Sequence, residues 1–214
     1  MNPSKLIDLS CYRSILCLDG ALPRAAFFEE AKLPIIAADG AANTLERIGV
    51  TPDIIVGDLD SVDPRIIEHV THILLPSQDH SDFQKAITYM EQNSLLPSII
   101  CGVNGGYLDH VINNVNVLLS TDSVLLDDDI AGFIVAGRRE FILPLKSKLS
   151  IFGIPNCTIS STGLKWELNH HTLTFPGSAS CSNRTVSDSV TLEIHEGKAL
   201  VLIYLNDIKD AGYW

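Results

Sequence analysis

The chain has 214 residues, enough for one large domain or two small ones. With 46% hydrophobic and 19% charged residues it can bury a core, which excludes an intrinsically disordered chain. A formal net charge of −11, from 15 Lys+Arg against 26 Asp+Glu and with no Lys/Arg cluster, argues against a nucleic-acid binder, which needs a basic face.

In chain order, an apolar run predicts a strand over 14–18. A helix over 24–32 follows, with Pro23 near its start. A strand over 33–38 and a helix over 41–48 come next, then a break at Gly49-Val-Thr-Pro52. The β-branched run Ile54-Ile55-Val56 reads as a buried strand, followed by a short helix over 64–69 and a strand over 71–75. Ser81 is a candidate N-cap for a helix over 82–92. A strand over 98–101, a helix over 109–120 and a strand over 124–126 complete the alternation. Strands alternating with helices predict crossovers, hence a mostly parallel sheet with flanking helices, Rossmann-like in architecture.

After about residue 130 the rhythm changes. Short strand candidates fall over 133–135, 140–143, 149–152, 158–160, 172–175, 190–194 and 200–204, punctuated by Gly, Pro, Asn and Ser. This predicts a small C-terminal all-β sandwich, so the domains are expected over 1–131 and 132–214.

The chemistry concentrates at Asp53-Ile-Ile-Val-Gly57-Asp58-Leu-Asp60-Ser61, where a buried strand stops at a glycine and two carboxylates follow. Carboxylates beside a buried strand need positive compensation, and a hard divalent cation prefers oxygen ligands. Three more acidic segments share this address. Asp39-Gly40 follows the strand over 33–38, and Asp79 and Asp82 follow that over 71–75. Asp109-His110 follows the strand over 98–101 through Gly102-Val-Asn-Gly105-Gly106. Ligands of such sheets bind at the carboxyl ends of the strands, so all these acids are expected on one rim.

The convergence predicts a Mg²⁺-dependent phosphate site, with Asp58, Asp60 and Asp82 as metal ligands. Gly105 and Gly106 would let backbone amides approach a polyphosphate. Lys85, one turn after Asp82, could reach a phosphate oxygen. No GxxxxGK[ST] loop is present.

The five cysteines are scattered without a CxxC pair, which argues against a disulfide framework or zinc site and predicts buried thiols in a reducing compartment. The first 13 residues hold no apolar core of signal-peptide length, and no run reaches the roughly 20 apolar residues of a membrane helix. A cytoplasmic protein without a membrane partner is expected.

Four ordered stretches carry a family resemblance: Ala38-Asp39-Gly40-Ala41-Ala42-Asn43, Pro52 to Ser61, Asp79-His-Ser-Asp82-Phe-Gln-Lys85, and Gly105-Gly106-Tyr-Leu-Asp109-His110. Together with Thr162-Gly-Leu-Lys-Trp166 and Ser182-Asn183, they resemble thiamine pyrophosphokinase. The resemblance implies transfer of a diphosphate group from ATP to the hydroxyl of thiamine, giving thiamine diphosphate and AMP. It also implies a homodimer with active sites between subunits.

The family's acidic positions fall on Asp39, Asp58, Asp60, Asp79, Asp82 and Asp109, and its thiamine contacts on Trp166, Ser182 and Asn183. Asp79 or Asp109 is then the candidate proton acceptor, and Trp166 would stack on the cationic thiamine. Tyr107 departs from the pattern, because Arg is common at that position. Two rival readings are a non-catalytic nucleotide or thiamine sensor and an aspartyl-phosphate phosphatase. The latter would use Asp58 as nucleophile and Asp60 as acid.

Overall fold

The structure, a computed structural model, describes residues 6–206. The chain divides into an α/β unit, Leu9–Asp128, and a β unit of residues 129–206 with which residues 6–8 group. The change of rhythm in the sequence suggests a division three residues later, at 131/132.

In the α/β unit the strands are β1 (Ser14–Cys17), β2 (Ile35–Ala38), β3 (Ile54–Gly57), β4 (Thr71–Leu74), β5 (Ser98–Cys101) and β6 (Val124–Leu126). They form a parallel array in the order β6-β5-β1-β2-β3-β4. Every residue of β1, β2, β5 and β6 is buried, which is why these strands read as continuous apolar runs rather than alternations. β4 is the more exposed edge. β1 lies between β2 and β5, so the strand order reverses there. Such switch points open a ligand crevice at the carboxyl ends of the strands.

The helices are α1 (Ala25–Ala31), α2 (Ala41–Arg47), α3 (Pro64–Ile67), α4 (Asp82–Gln92) and α5 (Leu108–Leu118). α4 begins where the sequence places it. Ser81 accepts from the Gln84 N–H and the Gln84 side chain accepts from the Ser81 N–H, a closed capping box.

The β unit holds β7 (Ile130–Val135), β8 (Arg138–Ile142), β9 (Lys148–Thr162), β10 (His171–Thr174), β11 (Ala179–Arg184) and β12 (Ser189–Tyr204), paired antiparallel. The four short strands expected over 149–152, 158–160, 190–194 and 200–204 are the halves of two long ones, β9 and β12. Gly153, Pro155 and Gly197 read as breaks in the sequence. In the fold they sit where β9 and β12 slip register and bend without losing their pairing.

The bend makes the sandwich. The first half of β9 and the second half of β12 pair with β11 and β7. The opposite halves pair with β10 and β8. Phe133 of one sheet packs on Phe141 of the other with ring centroids 5.3 Å apart.

β11 escapes sequence reading because Ala-Ser-Cys-Ser-Asn-Arg has no apolar alternation. All five cysteines are free. Cys17, Cys101 and Cys157 are buried as expected, whereas Cys11 and Cys181 are exposed.

Candidate active site

The carboxyl ends of β1, β2, β3 and β5 and the segment leading into α4 line one cleft of about 1350 Å³. Six aspartates face it: Asp19, Asp39, Asp58, Asp79, Asp82 and Asp109. Every lining residue belongs to the α/β unit.

Asp39 is the first residue past β2. Its backbone is left-handed (φ 44°) and its N–H donates to Val56 across the sheet at 3.0 Å. Its Oδ1 accepts from the Leu59 N–H at 2.8 Å, and only 3% of the residue is exposed. Gly57 makes this placement possible, because a Cβ there would lie 2.8 Å from the Asp39 Cβ. The strand thus ends in glycine to admit the acid of its neighbour. Burial, the charge of Asp82 and then that of Asp58 push the Asp39 carboxyl above the usual carboxylate range, against the pull of two backbone N–H donors.

Asp58 accepts from Gln78 Nε2 at 2.6 Å and from Lys85 Nζ at 3.1 Å, and these donors hold its carboxyl below the usual range. Lys85 lies on the inner face of α4 with Phe83, Ala86 and Met90, 6% exposed, and reaches Asp82 as well, at 2.9 Å. Burial draws the ammonium's pKa down, but its bonds to Asp82 and Asp58 outweigh that and hold it above the ordinary lysine value.

Ligand atoms of Asp39, Asp58 and Asp82 lie within 4.8 Å of one another. All three offer hard oxygen donors, and Asp39 carries like-charge strain that a cation would relieve, so the residues fit a Mg²⁺ ion.

Asp60 stands outside this triad. Leu59 adopts a left-handed backbone (φ 66°), so the chain turns between the two acids. The Asp60 carboxylate is exposed and accepts from the Ser61 hydroxyl at 2.9 Å. Asp39, which the sequence groups with the ligand-binding residues, is the third member of the cluster.

Asp79 and Asp109 line the cleft on exposed segments. Asp79 accepts from Ser77 Oγ at 3.0 Å, and Asp109, in the first turn of α5, accepts from the His110 N–H at 3.0 Å. Gly105 and Gly106 differ in role. A Cβ on Gly105 (φ 99°) would strike Ala21 N at 2.8 Å, so packing of the protein on itself requires this glycine. On Gly106 a Cβ would meet only the Asp19 carbonyl, at 3.8 Å.

Two acids escape the sequence reading. Asp127, 1% exposed, accepts from the N–H groups of Gly102 at 2.7 Å and Asn104 at 3.2 Å, and so fixes the glycine loop from behind. It follows β6 as the other acids follow their strands, and that rule would have found it. Asp19, just past β1, accepts from the Thr44 hydroxyl at 2.8 Å.

Trp166, Ser182 and Asn183 belong to the β unit. Trp166 is 54% exposed, with Lys165 Nζ 4.6 Å from its ring centroid. Ser182, exposed and left-handed (φ 56°), sits in a bulge of β11. Asn183 has no exposed surface. Its Oδ1 accepts from the N–H groups of Trp166 (3.2 Å) and Arg184 (2.9 Å). Its Nδ2 donates to the Trp166 carbonyl (2.8 Å) and Ser180 Oγ (3.1 Å). The amide is fully used inside the protein and grips the backbone of the exposed tryptophan.

Carboxylates and a paired lysine at the carboxyl rim of a parallel sheet, joined in sequence to an antiparallel β unit, suit divalent-cation and phosphate chemistry. Residues 24–126 match the thiamin pyrophosphokinase catalytic domain, and residues 143–199 match the vitamin B1 binding domain of the same family. The chain belongs to the thiamin pyrophosphokinase family and is an enzyme of thiamine diphosphate synthesis.

Among its relatives, thiamine pyrophosphokinase 3 of Oryza sativa subsp. japonica is 29% identical over 88% of this chain and 85% of the relative. Thiamine pyrophosphokinase 2 of Arabidopsis thaliana is 28% identical over 84% of this chain and 82% of the relative. The fold matches the thiamin pyrophosphokinase of Candida albicans with a TM-score of 0.78, 17% identity, and coverage of 94% of this chain and 91% of that one.

Proposed function

We propose that this enzyme moves the β,γ-diphosphate of ATP to the thiamine hydroxyl in the acidic cleft of the α/β unit. The hydroxyl oxygen bonds to the β-phosphorus, the bond from that phosphorus to the α–β bridging oxygen breaks, and AMP leaves. The observation that carries the reading is the convergence of Asp39, Asp58 and Asp82 beside the buried Lys85.

Asp39, Asp58 and Asp82 would hold Mg²⁺. When bound, the ion neutralises phosphate charge and the charge that develops on the leaving oxygen. Lys85 orients Asp58 and Asp82 and adds a fixed positive charge at the same place. Asp79 or Asp109, the cleft acids outside the triad that lie past β4 and β5, takes the hydroxyl proton. The protein forms no covalent bond here, so positioning and charge neutralisation dominate. In the β unit, the exposed face of Trp166 stacks on the cationic thiamine, and Ser182 offers a hydroxyl beside it.

A homodimer is supported by α5, whose Leu108 (74% exposed) and Ile112 (62% exposed) present an apolar face typical of an unburied interface. Five free cysteines support a reducing, cytoplasmic setting. Among the described residues no helix is long and apolar enough to cross a membrane.

Incubation with thiamine, ATP and Mg²⁺, followed by chromatography, tests the reading. Thiamine diphosphate and AMP are expected in equal amounts. ADP with thiamine monophosphate, or inorganic phosphate alone, would refute it.

A further inference from the structure

We infer that Arg47 is the residue that binds the nucleotide's phosphates, an inference that rests on the reading of the cleft as an ATP site. The cleft is lined by six aspartates but by one arginine, Arg47, and one lysine, Lys85. A polyphosphate entering it needs cationic donors, and Lys85 is already engaged by Asp58 and Asp82. Tyr107, on the glycine loop, is 81% exposed, packs its ring edge-on against His110 and carries no charge.

Arg47 ends α2, and among the described residues it forms no ion pair with a carboxylate. Its guanidinium is nevertheless fixed. Nε donates to the Asn43 carbonyl at 3.3 Å and Nη2 to Thr44 Oγ1 at 2.6 Å. Thr44 in turn donates to Asp19 at 2.8 Å, which anchors the chain of bonds at the carboxyl end of β1.

Two of the five guanidinium N–H groups are thus used, and both protons on Nη1 and one on Nη2 remain. A planar, pre-oriented fork with free donors suits bidentate contact with phosphate oxygens. The other substrate, thiamine, is a cation that Arg47 repels, so the residue acts on the anion alone.

The test compares wild type with Arg47→Gln and Arg47→Lys. Calorimetry gives the Kd for ATP, with Mg²⁺ and in EDTA, and steady-state assays give both KM values. For Arg47→Gln the Kd and KM for ATP rise about tenfold or more, as for loss of a charge-assisted contact, and the KM for thiamine stays within twofold. The ATP Kd rises in EDTA as well, because the contact is the protein's own. Arg47→Lys recovers part of the loss, since a point charge replaces the fork. Arg65→Gln, at an exposed arginine paired with Asp63 at 2.6 Å, leaves every value unchanged.

An ATP Kd for Arg47→Gln within twofold of wild type overturns the inference. A wild-type chain that binds ATP but releases no AMP overturns the proposed reaction, while the Arg47 comparison still stands. A wild-type chain that binds no ATP overturns both.

Discussion

Replacing Asn183 with Ala isolates what holds the tryptophan of the β unit. The substitution removes four hydrogen bonds at a site with no exposed surface: two to Trp166, one to Arg184 and one to Ser180. At about 0.5–1.5 kcal/mol net each, the ceiling is about 6 kcal/mol. The loss should fall well below that, because Trp166 is exposed and water can reach its freed backbone groups, whereas the Arg184 N–H stays half-buried. About 2–3 kcal/mol is therefore expected, lowering Tm by roughly 5–10 °C for a chain of this length.

Urea unfolding followed by tryptophan fluorescence measures the loss, and far-UV dichroism followed in parallel shows whether the two units unfold together. The kinetic signature is a raised KM for thiamine with kcat changed less, since the chemical groups lie in the other unit. Asn183→Asp should be at least as damaging, because a carboxylate would face the Trp166 carbonyl where the amide donates. A stability within 0.5 kcal/mol of wild type together with an unchanged thiamine KM would refute the clamp and return Asn183 to a passive core position.

Asp39→Asn should stabilise the metal-free protein at pH 7 while abolishing turnover. The Asp39 carboxyl is raised in the folded state, so that state binds the proton more tightly. Its contribution is intact below the unfolded value of 3.8 and is lost as pH climbs through the raised value. Asn stays neutral, keeps the acceptor for the Leu59 N–H and tolerates the left-handed backbone, so Tm should exceed wild type at pH 7 and converge with it near pH 3.5. Lys85→Met removes the cation between Asp58 and Asp82. It should cost about 2–3 kcal/mol in EDTA, measured by thermal unfolding, and Mg²⁺ should raise Tm more in the variant than in wild type.

Much of the α/β unit is legible because its signals are local. The continuous apolar runs of β1, β2 and β5 announce buried parallel strands, and Ser81 with Gln84 announces the start of α4. The acids are legible for the same reason, since each follows its strand directly. Which acids meet is not local. Leu59 takes a left-handed turn that no motif announces, and this turn sends Asp60 to solvent and leaves Asp39 to complete the triad. In the β unit the failure is of another kind. Gly153, Pro155 and Gly197 are strong punctuation, yet β9 and β12 continue through them because each strand's partner bends at the same place.

The cleft's charges show why its residues cannot be read one at a time. Lys85 alone would be a buried cation, and Asp58 and Asp82 alone would be like charges in contact. Together they keep one net negative charge, and burial with the charges of Asp82 and Asp58 puts strain on Asp39. A neutral residue at 39 would relieve that strain and leave the Asp58–Lys85–Asp82 contacts in place. The third carboxylate, admitted by Gly57, is the feature that the proposed Mg²⁺ site would account for. Gly57 therefore offers the sharpest check of this logic. Gly57→Ala would displace Asp39 and not Lys85, so the Asp58–Lys85–Asp82 contacts should survive while the Mg²⁺-dependent rise in Tm is lost. A Gly57→Ala protein with the full Mg²⁺ response would mean that Asp39 is no part of the cation site.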